Sequence, residues 1–354
     1  MKMSFLIRAT SCAALTMAAA FFYLPSTRAE SGGPKYEVDV TWPKPLPDRW
    51  VIGGLGGVCV DAQDHVFILN RQDVADGDLN AARLAPQIIE CNPEGTVVNS
   101  WGDAARLDPR LHSCYVDKDT NVWIASSPSG MVQKYTHDGR TLLLQIGKKG
   151  SLDSSDGTAK GTPLNSSAAA FFMPSSIAVD PQNGEVYVSD GESSGGNRRV
   201  AVLDAAGTFL RQWRPEVADT VHCLAMARDR LVYVCDRTGS RILVYDTMGR
   251  LQRTIAVPWT PVTPPADGKL VQIGGSAVAI AFSPDQRLLF VINQNNARVE
   301  IIERESGAVV GSFGRAGAFP GEFNQAHGIA VDSRGNVYIA ENRGRRVHRF
   351  KPVR

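Results

Sequence analysis

The chain repeats itself, and no other feature limits its fold so strongly. Six segments share one pattern: GGVCVDAQDHVFILN, HSCYVDKDTNVWIAS, SSIAVDPQNGEVYVSD, HCLAMARDRLVYVCD, VAIAFSPDQRLLFVIN and HGIAVDSRGNVYIAEN. Each reads as a short apolar strand, a polar turn and a second, alternating strand. Further strand sequence follows, as in RVAVLDAAGTFLRQW, RILVYDTMGRLQRTI, RVEIIERESGAVVGSF and RVHRFKP, which makes a four-stranded unit. The turn aspartate recurs at Asp61, Asp117, Asp180 and Asp332, with Arg228 and Ser283 near that place in the other copies, so the repeat runs from roughly 47 to 63 residues. Four-stranded sheets at such spacing pack radially as propeller blades. The sixth copy stops after its third strand, and a spare strand, Tyr36 to Trp42, precedes the first copy. Pairing the two would complete the last blade and leave no open edge. The expectation is an all-β chain forming one six-bladed β-propeller over 36–354, its last blade closed by the N-terminal strand. The extra lengths at 73–87, 148–170 and 258–273, rich in Gly, Pro and Ser, read as loops over the faces.

The first residues have another character. Lys2 and Arg8 precede an apolar run from Cys12 to Leu24, and Thr27-Arg28-Ala29 offers small residues for cleavage. Residues 1–29 therefore read as a signal peptide cut after Ala29, which makes the mature protein exported, periplasmic or extracellular. The alternative is an uncleaved anchor, for which the run is short; no later segment is apolar enough to span a membrane. Without Lys2, Arg8 and Arg28 the 38 basic residues fall to 35 against 36 acidic ones. That balance, with export, argues against a nucleic-acid partner. Five cysteines remain after Cys12: Cys59, Cys91, Cys114, Cys223 and Cys235. At least one stays unpaired, Cys223 and Cys235 flank a predicted hairpin almost symmetrically, and buried apolar thiols are the other reading for all five.

One column of the repeat carries the chemistry. The first residue of the six segments is Gly56, His112, Ser175, His222, Val278 and His327. Histidine occupies blades two, four and six, at spacings of 110 and 105 residues. In a closed ring these positions lie about 120° apart at equal height, so three imidazoles converge. Such a set suits a zinc-type divalent metal with one open position; hydrogen-bonded channel histidines without metal are the alternative. His65, His137 and His348 read as surface residues in turns or on an outer strand. A second column follows the second strand: Asn70-Arg71, Asp190-Gly191-Glu192, Asp236-Arg237 and Glu341-Asn342. Arg71 and Arg237, in opposite blades, would flank the metal and hold a carboxylate or an oxyanion; salt bridges to neighbouring blades are the alternative. Arg198, Arg241, Arg298 and Arg346 recur before the third strand, which speaks for structure.

The pattern D-x-x-G-x-V-Y-V-x-D followed by N-x-R-V resembles NHL repeats over essentially the whole mature chain. With the histidine column, and with VFILNRQD, LHSCYVD, VYVSDG, VHCLAM, VCDRTGSRI and AHGIAVD in order, the chain is similar to the peptidyl-α-hydroxyglycine α-amidating lyases. The resemblance implies zinc on His112, His222 and His327, active-site roles for Arg71 and Arg237, and cleavage of a C–N bond to leave an amide and glyoxylate. Three positions depart from it. Where the family's catalytic tyrosine follows S-D-G, this chain has Glu192 and no tyrosine, so Glu192 or Asp190 would serve as base. Gln325 replaces a pocket methionine, and Gly328 replaces an acid that helps bind calcium, which counts against calcium here. The function expected is a zinc-dependent lyase-like enzyme, read as a monomer, acting on a small-molecule or peptide substrate with a hydroxyl or carboxylate. The alternative is a non-catalytic exported propeller that acts as a binding or scaffold module. A gluconolactonase-type site, acidic and rich in asparagine, does not match three histidines, and no organic-cofactor motif is present.

Overall fold

The computed structural model describes residues 32–152, 171–192, 197–260 and 275–353. The chain divides into Met1–Ser31 and Gly32–Arg354. The expected signal peptide lies outside the described residues, and the propeller is confined to the second unit. Among the described residues no helix is long and apolar enough to cross a membrane.

The molecule is a six-bladed β-propeller. Blade one comprises Leu55–Val60, Val66–Asn70, Ile88–Cys91 and Val97–Trp101, and blade two Ser113–Val116, Val122–Ser126, Met131–Tyr135 and Leu142–Ile146. Blade three comprises Pro174–Val179, Val186–Asp190, Arg199–Leu203 and Phe209–Trp213, and blade four Val221–Met226, Val232–Asp236, Arg241–Tyr245 and Leu251–Ala256. Blade five comprises Ile280–Phe282, Leu288–Asn293, Arg298–Glu303 and Val309–Phe313. Blade six takes Ala326–Val331, Val337–Glu341 and Arg346–Pro352 from the C-terminus and its outer strand, Tyr36–Val38, from the N-terminus. Tyr36 pairs with Pro352 and Val38 with Phe350, antiparallel, so the ring closes on hydrogen bonds as expected from the spare strand.

Each blade has two faces, and both are covered by neighbouring blades. The second strands are accordingly buried throughout, as in VFILN, VWIAS and VYVSD, where a half-exposed sheet would alternate. The core is divided into apolar wedges between successive blades: Cys59, Phe67 and Leu69 meet Val122, Ile124 and Tyr135 between blades one and two. At the closure, Leu55, Val58 and Ile89 meet Tyr338, Ala340 and Val347. The tight turns from first to second strand place one residue at positive φ, including Asp64, Thr120 and Arg230 as well as Gly184 and Gly335. The 73–87 loop holds a 3₁₀ turn, Asp76–Asn80, and Arg83–Leu84 pairs in parallel with Trp50–Val51. Much of the 148–170 and 258–273 loops lies outside the described residues.

Two cysteine pairs form. Cys223 and Cys235 face each other directly in the blade-four hairpin, Cα atoms 4.9 Å apart. Cys59 and Cys114 join the innermost strands of blades one and two. That pairing has no signal in the sequence, since its members lie 55 residues apart. Cys91 is free and buried, and burial pushes its thiol up to about 12, which keeps it an apolar core group.

Candidate metal centre

The histidine column is delivered to the axis by a backbone irregularity. In blades four and six the register of the first hairpin shifts at the histidine: Val221 pairs with Asp236 and Cys223 with Cys235, while Ala326 pairs with Glu341 and Gly328 with Ala340. His222 and His327 are the extra residues, and the bulge re-aims their side chains from the sheet face to the channel. His112 stands just ahead of its strand, its N–H donating to the Ala125 carbonyl at 2.9 Å.

The odd blades then orient what the even blades supply. His112 Nδ1 donates to the Ser175 carbonyl at 2.7 Å, His222 Nδ1 to Val278 at 2.7 Å and His327 Nδ1 to Gly56 at 2.8 Å. Ser175, Val278 and Gly56 are the same column in blades three, five and one. Because a carbonyl only accepts, these bonds fix the proton on Nδ1 and turn each Nε2 lone pair inward. The ring centroids lie 4.7–5.3 Å apart, and one ligand atom from each ring falls within 4.8 Å of the other two. Nε2 of His112 and of His222 are buried and have no hydrogen-bond partner. Burial, then Arg237 and His112, hold His222 well below the usual histidine range; burial, then His112 and Arg71, do the same for His327. Three imidazoles with inward nitrogens, two of them buried and unpartnered, fit a divalent metal.

Glu192 reaches over this ring. Its Oε1 lies 3.7 Å from His112 Nε2, 4.0 Å from His222 Nε2 and 3.8 Å from Arg237 Nη1. Burial opposes the ionised carboxylate, but His112, then His222 and His327, outweigh it and hold the group below its usual range. Arg237 Nε is buried with no hydrogen-bond partner, so the guanidinium has spare donors at the site. Arg71 instead anchors to backbone, donating from Nε to the Leu111 carbonyl at 3.0 Å beside His112. Asp190, the other carboxylate considered as a base, is committed elsewhere. It is fully buried, accepts from Phe172 and Met173 N–H and from Asn197, and pairs with Arg199 Nε at 2.9 Å.

The repeating arginines are structural with one change of register. Arg241 pairs with Asp236, Arg298 with Glu300 and Arg346 with Glu341. In blade three the corresponding residue is Arg199, opposite Asp190, and Arg198 sits on a positive-φ turn instead. His348 also departs from its expected surface place. It is 7% exposed, its ring packed beside Phe323 and Phe350 and its Nε2 3.4 Å from Glu341.

Below the ring a cavity of about 380 Å³ runs along the innermost strands toward Arg228, Ser283 and Gln286 at the other mouth. The histidines line one end of it, whereas Glu192, Arg71 and Arg237 stand outside it, on the face where the strands begin. Gly56 explains how the backbone closes so tightly here: a Cβ would lie 1.8 Å from the Leu111 carbonyl oxygen and 3.2 Å from Arg71 Nε. Gly56→Ala is expected to cost about 3 kcal/mol or more in urea unfolding. Gly77→Ala, where a Cβ meets nothing within 4 Å, should stay within about 0.5 kcal/mol.

The NHL repeat family model matches residues 323–350, which span the three C-terminal strands of blade six. The sixth blade matches the NHL repeat model. The chain is 25% identical over 355 residues to the peptidylglycine alpha-amidating monooxygenase of Rattus norvegicus, a match covering 90% of this chain and 32% of that protein. It is 23% identical over 347 residues to peptidyl-glycine alpha-amidating monooxygenase A of Xenopus laevis, covering 89% of this chain and 33% of the other. The chain thus spans about a third of the length of these amidating enzymes. NHL repeat-containing protein 3 of Homo sapiens is 24% identical over 334 residues, covering 90% of this chain and 84% of its own. Among solved structures, a streptogramin B lyase superposes with a TM-score of 0.52 at 12% identity, covering 90% of this chain and 98% of the other. Virginiamycin B lyase from Staphylococcus aureus gives 0.51 at 14% identity, covering 90% and 100%. At these identities the structures establish the propeller fold alone.

Proposed function

We propose that this propeller is an exported, zinc-dependent lyase-like enzyme that cleaves a C–N bond in an α-hydroxyglycine-type or similar small hydroxylated, carboxylated substrate. The observation that carries the reading is the inward set of three imidazoles, two with buried and unpartnered Nε2, directly under a carboxylate and a guanidinium with spare donors. His112, His222 and His327 would hold the metal, which supplies a Lewis acid for a substrate oxygen when bound. Arg237, with Arg71 on the same face, would bind the substrate carboxylate and fix which carbon faces the histidines. Glu192 Oε1 would take the hydroxyl proton; because this carboxylate is held below its usual range, the step would require a hydroxyl acidified by a metal on the histidines. The freed O–H electron pair becomes the carbonyl bond, the C–N bond breaks with its electrons going to nitrogen, and that nitrogen gains a proton, leaving an amide and glyoxylate. The similarity to amidating monooxygenases over most of this chain supports this chemistry.

The test is direct: purified mature protein loaded with zinc is incubated with a peptide ending in α-hydroxyglycine, and glyoxylate is measured. Glyoxylate released in step with amide supports the reading, and a zinc-loaded sample that releases none rejects α-hydroxyglycine as the substrate while leaving the metal site to the zinc count. The second reading, an exported binding or scaffold propeller, is favoured by the match to NHL repeat-containing protein 3, which covers 84% of that protein. It predicts stable substrate binding without turnover.

A further inference from the structure

A second group of ligand-type side chains lies at the other end of the blade-one inner strand, away from the histidine ring. The turn aspartates of the repeat are held by cations or neutral donors. Asp117 takes Lys134 Nζ at 3.1 Å, Asp180 takes Arg230 Nε at 2.7 Å, and Asp332 takes the Tyr338 hydroxyl at 3.0 Å. Lys134 sits opposite Trp123 in its sheet, and the same register position is Arg349, opposite Tyr338, in blade six. In blade one that position, opposite Phe67, is Glu90. The charge is reversed: a second buried carboxylate stands where two other blades place a cation. Asp61 and Glu90 have side chains only 1% and 3% exposed, and among the described residues their ion-pair partners are the histidines His65 and His137 alone.

The geometry is organised around one point. Asp61 uses Oδ1 to accept the N–H groups of Gln63 and His65, at 2.9 and 2.8 Å, which leaves Oδ2 facing His137 Nε2 at 2.9 Å. Glu90 uses Oε2 to accept from Asn99 at 3.1 Å and presents Oε1, 3.9 Å from the same His137 nitrogen. His65 Nδ1 braces Oε1 at 2.6 Å, and Phe67 packs edge-on against the His137 ring. One ligand atom each from Asp61, Glu90 and His137 falls within 4.8 Å of the others. Two carboxylates this close and this buried repel each other unless a cation joins them, and a histidine supplies charge only when protonated. A divalent ion supplies that positive charge permanently.

We infer that Asp61, Glu90 and His137 form a second divalent-metal site of zinc type, with His65 positioning Glu90, which clasps blade one to blade two. One imidazole with two carboxylates suits zinc or a neighbouring late transition ion. His65 and His137 are each about a third exposed, so the ion can exchange with solvent. Asp61 and Glu90 belong to blade one, while His137 lies in the turn after the third strand of blade two. The inner strands of the same two blades are joined by Cys59–Cys114, so the ion would tie their outer parts as the disulfide ties their centres.

This site does not depend on the function proposed for the histidine ring, and zinc titration separates the two. Chelator-stripped wild-type protein is expected to bind about two zinc ions per chain, His137→Ala about one, and the double variant His112→Ala/His222→Ala about one. In that double variant zinc should raise the melting temperature by several degrees. Adding Glu90→Lys, which recreates the Asp117–Lys134 arrangement, should abolish both the binding and the rise. A double variant that is folded by circular dichroism yet takes up no zinc at about 0.1 mM overturns the site, as does unchanged stoichiometry in His137→Ala. Should the lysine variant not fold, the His137→Ala count decides alone.

Discussion

His222→Ala is expected to strip the metal from the channel and lower turnover by at least about a thousandfold, because it removes one of three ligands and with it the Lewis acid. The ring is 1% exposed and its Nδ1 bond to the Val278 carbonyl joins blade four to blade five. The loss of that bond and of ring volume should cost only about 1–3 kcal/mol. The propeller should survive, since Cys223–Cys235 and the hairpin register beside position 222 do not depend on the imidazole. Elemental analysis, circular dichroism and glyoxylate release together read the outcome. A folded variant that keeps both its channel zinc and its turnover would refute the three-histidine centre.

Glu192→Gln is expected to reduce kcat by about a hundredfold to ten-thousandfold while leaving zinc content unchanged. Glutamine keeps the shape and the reach toward His112 and Arg237, but it cannot accept the hydroxyl proton. KM should change little, because Arg237 and Arg71, not Glu192, are assigned to the substrate carboxylate. The reverse pattern would assign Glu192 a different task. If the variant loses zinc, the carboxylate is a metal ligand. If it gains activity, the carboxylate obstructs the position that a substrate needs, 3.7–4.0 Å from two of the imidazoles.

The architecture was legible because a propeller is periodic, and periodicity survives wherever the innermost strand and its turn must recur. Even the closure could be read, from a spare strand at one end and a missing strand at the other, and Tyr36–Val38 pairs with Arg346–Pro352 accordingly. The histidine ring was legible for the same reason: positions 112, 222 and 327 share one register, and register in a closed ring is a coordinate in space. The roles of the surrounding side chains were not. Asp190 and Glu192 stand two residues apart and both carry carboxyl groups, yet one is paired inside its blade with Arg199 and accepts from Asn197 while the other overhangs the axis. Arg71 and Arg237 occupy the same column, yet Arg71 Nε donates to the Leu111 carbonyl while Arg237 Nε is buried without a partner.

The sequence by itself therefore determined the blade count, the closure and the three converging histidines, since each follows from hydrophobic alternation and repeat register, which are local and additive. Only the tertiary structure decided which way each side chain turns. The bulges at His222 and His327, the carbonyls of Gly56, Ser175 and Val278 that set the imidazole tautomers, the Cys59–Cys114 bond and the facing of Asp61, Glu90 and His137 all join residues from different strands. Those contacts depend on how neighbouring strands and blades pack, and that packing is not a property of any one repeat.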